Sequence, residues 1–149
     1  MWKVVTAACL TFFVMGGSLG ATAPVAPDDS NIEPPVTAAD MRIIERAQEI
    51  LNSPDKWNRA DNRVCPPDAK IYSLYCAIEK ATIEIDGSFV HRGSAMQQAR
   101  FVIDDLTASR NYDHRLMDYN NDQRTSFADI QHVFDLIRAR IAKKLGSPK

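Results

Sequence analysis

Apolar residues recur at steps of three and four in four stretches of the chain, and each stretch predicts a helix with one buried face. The first carries Met41, Ile44, Ala47 and Leu51. Thr37 and Asp40 precede it as a T-x-x-D capping signal, and Asn52, Ser53 and Pro54 end it. The second carries Ile71, Leu74, Tyr75, Ile78 and Ala81, entered from Cys65-Pro66-Pro67-Asp68 and closed before Gly87. A third opens at Gly93 and Ser94, with Gln97 completing an S-x-x-Q capping box, and its apolar face is Ala95, Ala99, Val102, Ile103 and Leu106 up to a stop near Ser109. The fourth is the most regular: Phe127, Ile130, Phe134, Ile137, Ile141 and Leu145, with Arg138, Arg140, Lys143 and Lys144 toward the negative end of its dipole. Residues 82–85 could be extended, but no stretch alternates convincingly and nothing repeats at solenoid spacing. The pattern predicts an all-α fold, a single small domain of about four helices.

The N-terminus reads differently. Lys3 is followed by an apolar run over residues 4–15, then Gly16, Gly17 and small residues, the order of a secretory signal. A membrane-spanning helix needs roughly 20 apolar residues, so the run is short for an anchor. Ala21 and Ala23 form an A-x-A pattern, but a cut there would leave Pro24 first. Ser18 and Gly20 allow a cut before Ala21. Pro24, Pro27, Pro34 and Pro35, interleaved with Asp28, Asp29, Ser30 and Asn31, then form an extended linker. The expected organisation is a signal segment over 1–20, a Pro-rich linker over 21–36 and a helical domain over 37–149. A periplasmic or secreted location follows, with a membrane involved only if the signal stays uncleaved.

A chain of 149 residues has room for one domain with a modest core. Hydrophobic residues at 45% and charged residues at 25% exclude wholesale disorder. A net charge of −1 gives no reason to expect a nucleic-acid partner. Cys9 lies in the signal segment, so Cys65 and Cys76 are left to pair in an oxidising compartment. The alternative, a redox or metal-binding pair, has the wrong spacing for C-x-x-C.

The most suggestive polar stretch spans 118–129. Asp118, Asn120, Asp122, Ser126 and Asp129 fall at positions 1, 3, 5, 9 and 12 of a calcium loop. Gln123 replaces the turn glycine, and Asp129 is shorter than the usual bidentate glutamate. The same letters are explained by turn formation and by Ser126 and Asp129 capping the last helix. His91, His114 and His132 lie on three segments without metal spacing. Asp113 or Asp118 could orient His114 for hydrolysis if the fold brings them together. Trp57, Tyr72, Tyr75 and Tyr119 could line a pocket, though aromatics at helical spacing more often fill a core. There is no nucleophile elbow and no phosphate-binding glycine loop.

Three short motifs stand in order: L-x-x-P-x-x-W (Leu51, Pro54, Trp57), S-L-x-C-A (Ser73, Leu74, Cys76, Ala77) and Y-N-N followed by R-T (Tyr119, Asn120, Asn121, Arg124, Thr125). Over residues 41–144 the chain resembles the family of small bacterial helical proteins called domain of unknown function 6197. That family usually has W-N-D in the third motif, so Tyr119 and Asn121 are departures unless Asp122 takes the acidic role. The resemblance implies an all-helical domain and carries no activity, cofactor or partner. The sequence therefore favours a non-catalytic exported module that binds a protein or small-molecule ligand, with no cofactor. A calcium-binding protein using the 118–129 loop and a small hydrolase are the alternatives.

Overall fold

The computed structural model describes residues 32–108, Arg110 and 112–146, so the signal segment and most of the linker lie outside the described residues. Among the described residues, five α-helices form one all-α domain: α1 (Ala38–Ile50), α2 (Leu74–Asp86), α3 (Ser94–Leu106), α4 (Arg115–Asn121) and α5 (Phe127–Leu145). No described helix is long and apolar enough to cross a membrane.

The two terminal helices follow their sequence signals closely. Asp40 Oδ2 accepts from the Thr37 amide (2.7 Å) and hydroxyl (2.8 Å), as the capping signal predicts. Its Oδ1 accepts from the Ala95 amide at 2.9 Å, so this buried carboxylate also ties the start of α1 to the start of α3. At α5, Ser126 and Asp129 form the reciprocal box: the Ser126 amide donates to Asp129 Oδ2 (2.8 Å) and the Asp129 amide to Ser126 Oγ (3.2 Å). Ile130, Phe134, Ile137 and Ile141 are wholly buried, each stabilising the fold by about 1.5–3 kcal/mol relative to exposure. The domain closes around this face, with α1 packed on α2 and α5, and α3 packed on α5 and α4.

Elsewhere the structure departs from the pattern. Helix α2 starts at Leu74, not near Ile71, because Ser73 rather than the Pro66-Pro67 pair caps it; Ser73 Oγ accepts from the Cys76 amide at 3.1 Å. Ile71 is left 48% exposed. Residues 82–85 are helical, and α2 ends at Gly87, whose φ of 78° a side chain would strain. The Ser94–Gln97 box is not made. Ser94 Oγ donates instead to the Pro34 carbonyl (3.3 Å) and Gln97 Nε2 to the Ile32 carbonyl (2.7 Å). Glu33 meets Lys144 at 2.8 Å and Arg140 at 3.3 Å, so the last part of the linker lies on α3 and α5 instead of acting as a free spacer. Helix α3 ends at Leu106, which is 40% exposed rather than buried. Helix α4, unanticipated, makes the bundle five helices rather than four.

The long connection from α1 to α2 contains a 3₁₀ turn, Pro54–Lys56, and a single bridge between Trp57 and Tyr72. Two devices hold it. A disulfide joins Cys65 to Cys76, as the cysteine arithmetic predicts. The second is Asn120, wholly buried at the end of α4. Its Oδ1 accepts from Trp57 Nε1 (2.9 Å) and the Leu74 amide (3.0 Å), and its Nδ2 donates to the Asn58 carbonyl (2.9 Å). Asn121 continues the clamp, accepting from the Asp61 amide and donating to the Asp61 carbonyl, both at 2.8 Å. Truncating Asn120 strands several such groups at about 1–3 kcal/mol each. Asn120→Ala is expected to lower unfolding stability by about 3 kcal/mol in urea titration; a loss below about 1 kcal/mol would refute the clamp.

Candidate functional site

A cavity of about 270 Å³ opens between α2, α3 and the segment leading into α4. Each wall is set by local structure. Tyr75 sits in the first turn of α2, in phase with the Ser73 cap. Gln97 and Arg100 are three residues apart on α3, which places them on one face. His91 comes from the α2–α3 connection, Arg63 from the turn before Cys65, and Tyr112, Asp113 and His114 from the entry to α4. Arg92 and Arg115 add further positive charge to the lining.

The polar groups form a directional chain. Arg100 Nη1 donates to the His91 carbonyl (2.9 Å) and to Gln97 Oε1 (2.6 Å), while Nη2 lies 3.1 Å from His91 Nε2. A guanidinium can only donate, so Nε2 must carry the lone pair and Nδ1 the hydrogen. Nδ1–H then donates to Tyr75 Oη at 3.2 Å. This leaves the Tyr75 hydroxyl hydrogen for the Glu79 carboxylate, one turn along α2.

Charge and burial reinforce the assignment. Desolvation, and then the nearby Arg100 and Arg63, hold His91 below its ordinary pKa, which favours the neutral ring. Burial lowers Arg100 as well, and Arg115 and Arg92 push in the same direction. Arg100 is half-buried, and its described partners are neutral: a carbonyl, an amide oxygen and an imidazole. Arg115, by contrast, pairs with Asp104 at 2.9 Å. Burial raises Glu79, and the charge of Asp61 adds to it against the Tyr75 hydrogen bond; Asp61 Oδ2 is itself buried without a partner.

No protein-family model, curated protein or solved structure matches the chain.

The structure scatters the five residues of the 118–129 stretch. Asp118 and Asn120 lie in α4, where Asp118 Oδ2 accepts from the His114 amide (2.7 Å) and Asn120 makes the interior clamp. Asp122 accepts from the Tyr112 hydroxyl (2.7 Å) and pairs with Arg124 (2.7 Å), and the Arg124 and Tyr112 hydrogen bonds hold its carboxyl well below the usual range. Ser126 and Asp129 cap α5. No group of three or more His, Cys, Asp or Glu side chains among the described residues is arranged to hold a metal.

Two of the three histidines share one cavity. His91 and His114 line the same cavity with Asp113, whereas His132 is on the exposed side of α5 and Asp118 serves the backbone. Of the aromatics, Tyr75 lines the cavity. Trp57 packs 6.1 Å from Phe127 beneath the Arg59 guanidinium. Tyr72 precedes α2 and its hydroxyl donates to the Ala69 carbonyl. Tyr119 is core, its phenol pushed up to about 12 chiefly by burial. Sequence reasoning missed Arg63 and Arg100. The three-residue step from Gln97 to Arg100 could have marked a polar face on α3.

Glu79 supplies a pH test. Its folded pKa is raised, so between the unfolded and folded values the native state keeps a proton that the unfolded chain has released. Stability from this group falls as pH rises through that window. Glu79→Gln keeps an acceptor for Tyr75 and removes the penalty. The variant is expected to melt above the parent near pH 7 and level with it near about pH 3; an unchanged difference at both pH values would contradict the assignment.

Proposed function

We propose that the domain is an exported, non-catalytic binding module that takes a small molecule into the cavity between α2, α3 and α4. The observation carrying this reading is Arg100: a half-buried cation, oriented by neutral partners and uncompensated by any described carboxylate, at the wall of the cavity. Uncompensated buried charge is costly, and a site that retains it is a candidate for binding. The Cys65–Cys76 disulfide supports export, since such bonds persist in oxidising compartments. Kinship with domain of unknown function 6197 belongs to the same proposal. Its three motifs converge here, where Asn120 of the third bonds Trp57 of the first and Leu74 of the second.

A small hydrolase is the second reading, favoured by the placement of His91, His114 and Asp113 on one cavity. The residues of the calcium alternative are engaged in caps, the Asn120 clamp and the Asp122–Arg124 pair. Native mass spectrometry of the protein recovered from its host separates these readings. The expected spectrum starts near Ala21, is two hydrogens light and carries an organic adduct; added calcium leaves the melting temperature unchanged. A full-length, ligand-free chain with free thiols would overturn the proposal, and a calcium adduct with a raised melting temperature would replace it.

A further inference from the structure

We propose that the cavity is a receptor site for a small organic oxyanion, its head group held between Arg63 and Arg100 and its body laid along Tyr75 and Met117. This rests on the binding-module reading and adds the class of ligand.

Arg63 is the first support. It is the one described non-glycine residue with positive φ, at 60°. A left-handed conformation is unfavourable for an L side chain, and a glycine or asparagine would sit there more easily. The fold nevertheless fixes it: Asp61 Oδ1 accepts from the Arg63 amide (2.8 Å), Asn62 Oδ1 from the Val64 amide (3.0 Å), and Asn121 clamps Asp61 on both sides. The resulting side chain lines the cavity, is exposed, and makes no hydrogen bond or ion pair among the described residues. A strained residue whose side chain satisfies nothing within the fold points to something outside it.

Arg100 is the second, on a different element. Its guanidinium is braced by His91 and Gln97 and lacks a described counter-charge, so it is pre-organised for an acceptor that arrives. Among the described residues, Asp113 is the sole carboxylate in the lining. The volume of about 270 Å³ lies at the small end of ligand pockets, which suits a head group with a single-ring or short-chain body. Tyr75 and Met117 supply the surface for that body.

Titration calorimetry of the oxidised, exported protein with phenyl phosphate, benzoate and benzyl alcohol tests this. At least one of the two anions is expected to bind with a Kd below about 1 mM, more weakly at high salt, and the neutral alcohol not to bind. Whichever anion binds more tightly names the head group as phosphate or carboxylate. R63G and R100Q should each weaken the anion by about tenfold or more. R63G also removes the positive-φ strain, so its melting temperature should not fall and its loss of affinity cannot be ascribed to misfolding. Benzyl alcohol binding as tightly as the anions, unaffected by R63G, would overturn the oxyanion and leave the binding module standing. Absence of binding by either anion at about 10 mM overturns the proposal, and if the native mass is also ligand-free, the binding-module reading falls with it.

Discussion

The wholly buried carboxamide of Asn120 reaches two separate pieces of backbone and one indole with a single side chain. Without it the Leu74 amide at the start of α2, the Trp57 indole and the Asn58 carbonyl would each lose that partner. With it, the long α1–α2 connection has a fixed path, and Asn121 extends that path to Asp61. The turn that places Arg63 at the cavity is therefore a consequence of an interior hydrogen-bond node several residues away. The disulfide fixes the same connection at its other end, from Cys65 to Cys76.

Where the sequence is legible, two local signals agree. At α1 and α5 an apolar stripe and a reciprocal capping pair point to the same start, and the structure follows. At α2 they disagree: Pro66 and Pro67 resemble an entry, but the chain first makes the Trp57–Tyr72 bridge, and only Ser73 offers an oxygen to the first turn. The third box failed because Ser94 and Gln97 are engaged by linker carbonyls 60 and 65 residues away in sequence, contacts that no local pattern announces. Helix α4 has seven residues, too few to display a period, and its Asn-Asn-Asp end reads as a turn. The same ambiguity produced the calcium-loop spacing.

The cavity was the least legible part. Its residues come from four separate segments, and the property that matters at Arg63 is a backbone angle that arginine does not advertise. The lone histidines gave no spacing signal, yet His91 proves central through its two ring nitrogens, one facing Arg100 and the other Tyr75. Neutral imidazole suits this position because a protonated ring would place a second cation against the guanidinium. The site thus combines a rigid hydrogen-bond relay with positive charge that the described residues do not fully offset. The uncompensated charge costs stability, which the proposed negatively charged ligand would offset.

The protonation of His91 tests this account most directly. Nitrogen-15 NMR of the imidazole near neutral pH should show a neutral ring with the hydrogen on Nδ1 and the lone pair on Nε2. That pattern is required if Arg100 donates to His91 and His91 to Tyr75. A hydrogen on Nε2, or an imidazolium carrying both, would mean that Arg100 is not held as described, and the pre-organised cationic cavity would have to be abandoned.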